Sequence, residues 1–280
     1  MRTRTMFAAV VGTALCLCGA GAQEGKNKES KITVDGSTTV GPIAKAFAEY
    51  YMERNSDVKI TVAESGSGNG AKSLINGVCD VADMSRFMKP EEFKAAVEKG
   101  VTPVAHAVAM DGIAVIVHPA NPVKALTKAQ VAGIYTGKIT NWKEVGGPNA
   151  KIVAISRDTN SGTYEAFEEL ALNKQKMTQG VEYAGSNGAI RQRVQSTQGA
   201  VGFVGLGFVD KTVKALVVDG VEPSRDTVVS GKYPISRPLF MFTNGYPALG
   251  SHLHAFTTLH LSKKGQEIIE GIGFVPVTEY

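Results

Sequence analysis

The sequence predicts an α/β protein of two lobes, each with a mostly parallel sheet flanked by helices. Apolar, β-branched runs alternate along the chain with segments whose apolar residues recur at helical spacing. Strands that alternate with helices in this way are typical of parallel sheets. The chain has 280 residues, which exceeds the usual size of a single domain. We therefore expect two lobes.

Three predicted strands end in loops of small and hydroxyl residues that lead directly into predicted helices. The strands lie at 31–34, 58–62 and 152–155. In chain order, the loops contain Ser37, Thr38 and Thr39, then Ser67, and then Ser161, Gly162 and Thr163. The simpler interpretation of Ser37, Thr38, Thr39, Ser67 or Thr163 alone is a helix N-cap. Three such junctions together indicate a shared purpose, because these turns gather at the carboxyl ends of the strands, where ligands bind.

The chemistry of these loops favours an anion as the ligand. A helix N-terminus exposes unpaired N–H groups and the positive end of the helix dipole. Arg157 precedes the third loop and offers a planar fork of donors to an oxyanion. The alternative is that Arg157 forms a surface ion pair with Asp158. If Arg157 binds an anion, we expect Asp158 or Glu165 to hold its guanidinium in place.

Residues 1–22 have the features of a secretory signal peptide. Arg2 and Arg4 are followed by an apolar run at 6–17 and by small residues that form an A-x-A-like site ending at Ala22. The apolar run is too short to span a bilayer. We therefore expect export to the periplasm or another extracytoplasmic location.

Removal of the leader leaves a linker at 23–30 and a nearly neutral chain. The formal charge falls from +4 to +2, because Arg2 and Arg4 are lost and no acid is lost with them. This balance gives no electrostatic reason to expect nucleic acid as a partner.

The cysteines exclude a disulfide framework. Cys16 and Cys18 lie in the leader, so that Cys79 is alone in the mature chain and cannot form a disulfide or a cysteine-based zinc site. Two interpretations of Cys18 stay open. It either fills the apolar part of the leader of a free periplasmic protein, or it is the lipid-modified first residue of a membrane-tethered lipoprotein, because "LCLC" loosely resembles a lipobox.

Enzymatic classes have little support in the sequence. A serine hydrolase needs a nucleophile elbow of the form G-x-S-x-G, and the segment around Ser67 lacks that spacing. His252 and His254 form an H-x-H pair, but no nearby cysteine or H-E-x-x-H motif accompanies them. We therefore expect no catalysis, no cofactor and no metal.

Five blocks of sequence resemble a known family. They are "DGSTTVGPIAKAF", "ESGSGNGAKSLINGVCDVADMSRFMKPEE", "IYTGKITNWKEVGG", "ISRDTNSGTYEAF" and "QGAVGFVGLGF". They occur in the order seen in the phosphate-binding proteins of bacterial ABC transporters, and the resemblance extends from Lys31 to the C-terminus. It implies a type II periplasmic binding protein whose two lobes close on one phosphate in the cleft between them.

The resemblance also implies lobe boundaries and site residues. Lobe I comprises 31–110 and 237–280, and lobe II comprises 111–236, with chain crossings near 110–112 and 236–242. The family's phosphate-binding positions fall on Ser37, Thr38, Thr39, Ser67, Ser85, Arg86, Arg157, Ser161, Gly162 and Thr163.

The block around Ser85 departs from the family pattern. Many relatives have Gly-Met-Ser-Ser-Arg there, whereas this chain has Ala-Asp-Met-Ser-Arg at 82–86. Ser85 stands where some members have an aspartate that accepts the phosphate proton. Rejection of sulfate needs such an acceptor. Asp83 is an alternative acceptor if the segment is extended, because its side chain and that of Ser85 then lie on one face.

These observations predict the phosphate-capturing subunit of an ABC importer. We expect a monomer whose partners are inorganic phosphate and a permease dimer, with membrane contact only through a possible lipid at Cys18. Two alternatives are a binder of another tetrahedral oxyanion, sulfate or molybdate, and a surface-interaction protein on the same scaffold.

Overall fold

A computed structural model of the chain describes residues 30–278. The predicted signal peptide at 1–22, Cys18 within it and residues 23–29 of the predicted linker lie outside the described residues. The first strand begins at Ser30, the last residue of that linker. Between residues 30 and 278, no helix has the length and apolar character needed to cross a membrane.

The described residues form an alternating series of strands and helices. The strands are β1 (Ser30–Gly36), β2 (Val58–Ala63), β3 (Val81–Met84), β4 (Pro103–Val117), β5 (Ala125–Leu126), β6 (Val153–Arg157), β7 (Glu182–Ala184), β8 (Ala200–Gly205), β9 (Lys214–Ala215), β10 (Val217–Val218) and β11 (Ser236–Asn244). The α-helices are α1 (Gly41–Met52), α2 (Ser67–Ile75), α3 (Pro90–Glu98), α4 (Lys128–Tyr135), α5 (Gly162–Leu170), α6 (Asn187–Gln195), α7 (Arg225–Val229), α8 (His252–Thr257) and α9 (Lys263–Gly271). Short 3-10 helices lie at Trp142–Val145, Leu206–Phe208 and Leu259–Leu261.

Most of the strands belong to one continuous sheet in the order β2-β1-β3-β11-β4-β8-β6-β7, with β9 beside β4. The pairs at the two ends of this order, β2-β1-β3 and β8-β6-β7, are parallel, as the sequence predicts. The strands β4 and β11 pair with their neighbours in the antiparallel sense. A small second sheet joins β5 and β10.

The strands β4 and β11 connect the two ends of the sheet. They pair with each other from Pro103 and Asn244 to Gly112 and Ser236, with an irregularity in the register between Leu239 and Phe240. Beyond Gly112, β4 continues into the other half of the sheet, where it pairs with β8. The two segments at which we predicted chain crossings lie in this pair of strands.

Each half of the sheet has its own buried core. On one side, α1 packs on β1 and β3 through a cluster that includes Phe47, Val81 and Met241. On the other side, Phe167 of α5 stacks on Phe203 of β8 with ring centroids 3.8 Å apart. Burial of such aromatic and aliphatic side chains is the main stabilising contribution to each half. The prediction of a two-lobed α/β fold is confirmed.

Gly36 brings the first loop close to the end of β3. Its φ of +140° lies in a region that other residues rarely adopt. A Cβ atom at this position would lie 2.2 Å from the carbonyl oxygen of Asp83. The next residue, Ser37, donates its N–H to that same oxygen at 2.8 Å. The glycine therefore lets the first hydroxyl loop lie against the end of β3.

Candidate anion-binding site

The predicted hydroxyl loops lie at the N-termini of three helices. Ser37 and the threonines after it precede α1, Ser67 is the first residue of α2, and Ser161 is the N-cap of α5. The Ser161 hydroxyl oxygen accepts the N–H groups of Thr163 at 3.2 Å and Tyr164 at 3.3 Å. The N-cap of α5 is therefore Ser161, and Thr163, for which an N-cap is the simpler interpretation of the sequence, lies within the helix. A capping hydroxyl still keeps its own proton for a ligand.

Loops from the two halves of the sheet meet at one buried place. The hydroxyl oxygens of Thr39 and Thr163 are 2.9 Å apart, and those of Ser67 and Ser85 are 3.2 Å apart. A Cβ atom on Gly162 would lie 2.6 Å from the Ser67 hydroxyl oxygen and 2.8 Å from that of Ser85. The structure therefore brings the predicted loops together. Their buried hydroxyl residues are Ser37, Thr38, Thr39, Ser67, Ser85, Ser161 and Thr163.

Arg157 is a buried cation without a close carboxylate in the described part of the chain. It is the last residue of β6 and is 1% exposed. Its Nε donates to the carbonyl oxygen of Ala184 at 3.2 Å, and its Nη2 donates to that of Gly185 at 2.9 Å. Within residues 30–278, its ion-pair partner is Asp158, whose Oδ2 lies 3.8 Å from Nη2.

The environment of Arg157 disfavours its positive charge. Burial lowers the pKa of Arg157 to about 10, the charge of Asp158 opposes this change, and the charge of Arg237 adds to it. An anion beside the guanidinium would remove this penalty, because a nearby opposite charge favours the ionised form. The predicted second support, Glu165, pairs with Arg86 and Lys89. Of the two alternatives, Asp158 is therefore the one that contacts Arg157.

The structure gives Arg86 different partners from those expected. Its Nη1 and Nη2 each donate to a carboxylate oxygen of Glu92 at 2.7 Å. Its Nε lies 2.8 Å from Oε2 of Glu165 in a charge contact that is not a hydrogen bond. Lys89 also contacts Glu165, at 2.9 Å. Two carboxylates therefore neutralise the Arg86 guanidinium, which contacts them and not the cleft hydroxyls.

Sequence reasoning missed three side chains of this site. Arg237 in β11 and Asp111 in β4 form a buried ion pair with Nη2 and Oδ2 3.0 Å apart. Asn187, the first residue of α6, donates to the hydroxyl of Thr39 at 2.9 Å. Signals for all three exist. Arg237 and Asp111 interrupt the apolar runs at the predicted crossings. The segment "GSNGA", which leads into α6, resembles the small-residue loops of the other junctions.

Asp83 lies apart from the hydrogen-bonded cluster. The strand β3 ends at Met84, so that Ser85 follows the strand. Both carboxylate oxygens of Asp83 are buried and, among residues 30–278, have no hydrogen-bond partner. Burial raises the pKa of Asp83 well above its usual range, and the charges of Glu64 and Asp35 raise it further. Ser85, in contrast, contacts Ser67 through both its N–H, at 3.1 Å, and its hydroxyl.

Metal ligands are not grouped in this part of the protein. Within the described range 30–278, no cluster of three or more His, Cys, Asp or Glu side chains is placed to hold a metal ion. His252 lies in α8, where it contacts Tyr51 and Asp57. The cleft therefore offers hydroxyl, amide and guanidinium donors to a ligand.

Comparison with known proteins defines the class. Residues 20–264 match the family described as "PBP superfamily domain". The chain belongs to this superfamily of solute-binding transport proteins.

Individual relatives define the family within that class. The chain is 33% identical to the phosphate-binding protein PstS of Bacillus subtilis (strain 168), over 91% of this chain and 84% of the relative. It is 32% identical to the phosphate-binding protein PstS of Borreliella burgdorferi, over 90% of this chain and 92% of the relative. The chain therefore belongs to the PstS family of phosphate-binding proteins, as the sequence resemblance predicted.

Solved structures agree with this assignment. One is a phosphate ABC transporter substrate-binding protein with bound phosphate from Clostridium perfringens, with a TM-score of 0.82, 37% identity and coverage of 89% of this chain and 100% of that chain. Another is an ABC-type phosphate transport receptor from Vibrio cholerae, with a TM-score of 0.72, 33% identity and coverage of 87% and 99%.

Proposed function

We propose that this protein binds inorganic phosphate in the cleft and delivers it to the permease of an ABC importer. The buried guanidinium of Arg157 is the observation that carries the proposal. It is held by two carbonyl oxygens beside a cluster of hydroxyl donors, and its only ion-pair partner within residues 30–278 lies 3.8 Å away. A tetrahedral oxyanion supplies both the missing charge and the missing acceptors.

The donor set is sufficient for tight binding. A micromolar dissociation constant requires about −8 kcal/mol. Each hydrogen bond to a charged group contributes about 1.5–3 kcal/mol. Several such bonds from Arg157 and the loop hydroxyls reach this value despite the cost of association. The predicted site residues other than Arg86 are the ones that we assign to the ligand.

Binding without reaction fits this cleft. In the part of the chain that the structure describes, the hydrogen bonds of the cleft hydroxyls involve no histidine ring. A serine nucleophile of a hydrolase would need such a base. We therefore assign the protein no catalytic activity and no cofactor.

The pairing of β4 with β11 supports a hinge between two lobes. We assign 31–110 and 237–280 to lobe I and 111–236 to lobe II, because each cluster of buried apolar residues lies almost entirely within one of these lobes. Bending at the crossing strands would open the cleft and release the ligand. Closure would present one joint surface of both lobes to a permease dimer.

Export and anchoring complete the proposal. We assign residues 1–22 to export, which places the protein outside the cytoplasm, and we propose a monomer. The intact mass of the exported protein distinguishes a lipid on Cys18 from cleavage after Ala22. Light scattering of the purified protein tests the monomer.

Isothermal titration with phosphate, sulfate and molybdate tests the ligand. The protein is first unfolded, freed of copurified ligand by dialysis and refolded. We expect heat with phosphate at micromolar or lower dissociation constant. Binding of sulfate or molybdate without phosphate would support another oxyanion as the ligand. No heat with any of the three would contradict the proposal.

A further inference from the structure

Arg237 connects three parts of the molecule beneath the cleft. Its Nε and Nη2 donate to Oδ2 of Asp111 at 3.2 and 3.0 Å. Its Nη1 donates to the carbonyl oxygen of Ser85 at 2.9 Å, and its Nη2 also donates to the hydroxyl oxygen of Thr163 at 2.9 Å. Asp111 neutralises the charge of Arg237. Arg237, unlike Arg157, therefore does not need an anionic ligand to balance its charge.

Asn187 contacts the threonine hydroxyls of the first loop. Its Nδ2 donates to the hydroxyl oxygens of Thr38 at 3.1 Å and Thr39 at 2.9 Å. Its Oδ1 accepts the N–H of Gly205 at 3.1 Å. A backbone N–H can only donate, so this bond fixes which end of the amide faces the threonines.

These contacts determine where the hydroxyl protons can point. A threonine hydroxyl has one proton and two lone pairs. Arg237 and the Asn187 Nδ2 can only donate, so they occupy lone pairs on Thr163 and Thr39. The 2.9 Å contact between these two threonines uses one hydroxyl proton. If Thr39 donates this proton, the Thr163 oxygen accepts from both Thr39 and Arg237, and Thr163 keeps its own proton for the ligand. If Thr163 donates it, the Thr39 oxygen accepts from both Thr163 and Asn187, and Thr39 keeps its own proton for the ligand.

We propose that Arg237 and Asn187 are positioning residues that make the Thr38 hydroxyl and one hydroxyl of the Thr39–Thr163 pair donors toward the bound oxyanion. This inference rests on the proposed phosphate-binding function. A hydroxyl can otherwise either donate or accept, and only the donating orientation stabilises an oxyanion. Asp111 supports the arrangement from the hinge, since its other oxygen accepts the N–H of Leu206 at 2.9 Å.

The substitution Asn187→Asp tests the proposal with almost no change in shape. The aspartate keeps the oxygen that accepts from Gly205, but it replaces the donating NH₂ with an oxygen that accepts the threonine protons. We expect the dissociation constant for phosphate to rise about 30-fold or more, which corresponds to the loss of one or two charge-assisted bonds. The control Asn173→Asp adds the same charge at an exposed residue that follows the end of α5. We expect it to change the constant by less than about threefold.

A double-mutant cycle separates this role from a structural one. Thr39→Val removes the hydroxyl through which Asn187 acts, so Asn187→Asp should cost much less affinity in the Thr39→Val background than in the parent. An equal loss of phosphate affinity in the two backgrounds would contradict the proposal that Asn187 acts through the Thr39 hydroxyl. Parent-like phosphate affinity of Asn187→Asp would overturn it as well. The reference titration of the parent keeps the two proposals apart, because a parent that does not bind phosphate refutes the function instead.

Arg237→Lys tests the other half of the proposal and covers the case in which Asn187→Asp does not fold. Lysine keeps the charge beside Asp111, but a single nitrogen cannot serve Asp111, Ser85 and Thr163 together. We expect phosphate affinity to fall about 10-fold, and we expect a smaller fall in a Thr163→Val background. Unchanged affinity of Arg237→Lys would overturn the role of Arg237.

Discussion

The regions around Arg157 and Arg86 show how differently the structure treats two arginines that the sequence predicts as phosphate ligands. Arg157 is enclosed by carbonyl oxygens, and its nearest carboxylate contact is 3.8 Å long. Arg86 contacts Glu92 at 2.7 Å and Glu165 at 2.8 Å. The first guanidinium keeps a net charge for a ligand, whereas the second is already neutralised.

The two regions therefore have different consequences for closure. In the proposed function, Arg157 acts on the ligand, and the ligand then holds the loops of both lobes. Arg86 acts on Glu165 of α5 directly and links α5 to the segment after β3 without a ligand. Residue type and a matching motif do not distinguish an arginine that is available to a ligand from one that links two segments. The two are distinguished by the carboxylates that contact each side chain.

The largest expected effect is that of Arg157→Ala. Loss of the buried charge and its donors should raise the dissociation constant for phosphate about 100-fold or more, because each charge-assisted bond contributes about 1.5–3 kcal/mol. Titration calorimetry measures this change. The matched control is Arg193→Ala in α6, an exposed arginine paired with Glu182. If both variants bound as tightly as the parent, the contrast between Arg157 and Arg86 would lose its basis.

Gly162→Ala should give the next largest effect. The added methyl group would lie 2.6 and 2.8 Å from the hydroxyl oxygens of Ser67 and Ser85. Overpacking of this kind costs about 1–3 kcal/mol, so we expect phosphate affinity to fall about 10-fold. The control Gly188→Ala adds a methyl group at the start of α6, where the nearest atom is 3.9 Å away. Similar affinities of the two variants would show that close contact of the loops is not needed.

Arg86→Ala should have a much smaller effect on phosphate affinity than Arg157→Ala. Partly exposed ion pairs contribute about 0.2–1 kcal/mol, so we expect phosphate affinity to change about fivefold or less. Glu165→Gln should behave similarly, since it weakens the same contact from the other lobe. A loss as large as that of Arg157→Ala would show that Arg86 contacts the ligand after all. Calorimetry at low and high salt separates the ion-pair contribution, because salt screens it.

Asp83 is a buried acid whose carboxylate, unlike the two arginines, has no hydrogen-bond partner among residues 30–278. We expect its substitution to change the stability of the protein and not its affinity for phosphate. Its pKa in the folded state is raised by burial. Its contribution to the free energy of unfolding is therefore largest below the unfolded pKa of about 4 and is lost as pH rises toward the folded pKa. Asp83→Asn does not titrate.

Melting curves test this expectation. The melting temperature of Asp83→Asn relative to the parent should rise between about pH 5 and pH 8, with no change in phosphate affinity. Asp35→Asn is the control, because two serine hydroxyls donate to the Asp35 carboxylate at 2.6 Å. A weaker affinity of Asp83→Asn would instead indicate that Asp83 accepts the phosphate proton.

Local patterns in the sequence predicted the junctions of the site, and long-range contacts explain what they missed. Ser37, Ser67 and Ser161 follow strands and precede helices, so local sequence identifies them. The pair of Arg237 and Asp111 joins residues 126 positions apart, and it depends on the pairing of β4 with β11. The contact of Arg86 with Glu165 likewise depends on how the lobes meet. No local signal indicates which carboxylates reach an arginine.

The central claim is that the buried Arg157 guanidinium, which Asp158 compensates only from 3.8 Å, and the surrounding hydroxyls hold an oxyanion. A crystal structure of the protein grown with phosphate tests this most directly. We predict one phosphate within hydrogen-bond distance of Arg157 and the Thr39 hydroxyl, with Arg86 still paired to Glu165. Phosphate bound to Arg86 instead, or a cleft without phosphate at saturating concentration, would contradict the account.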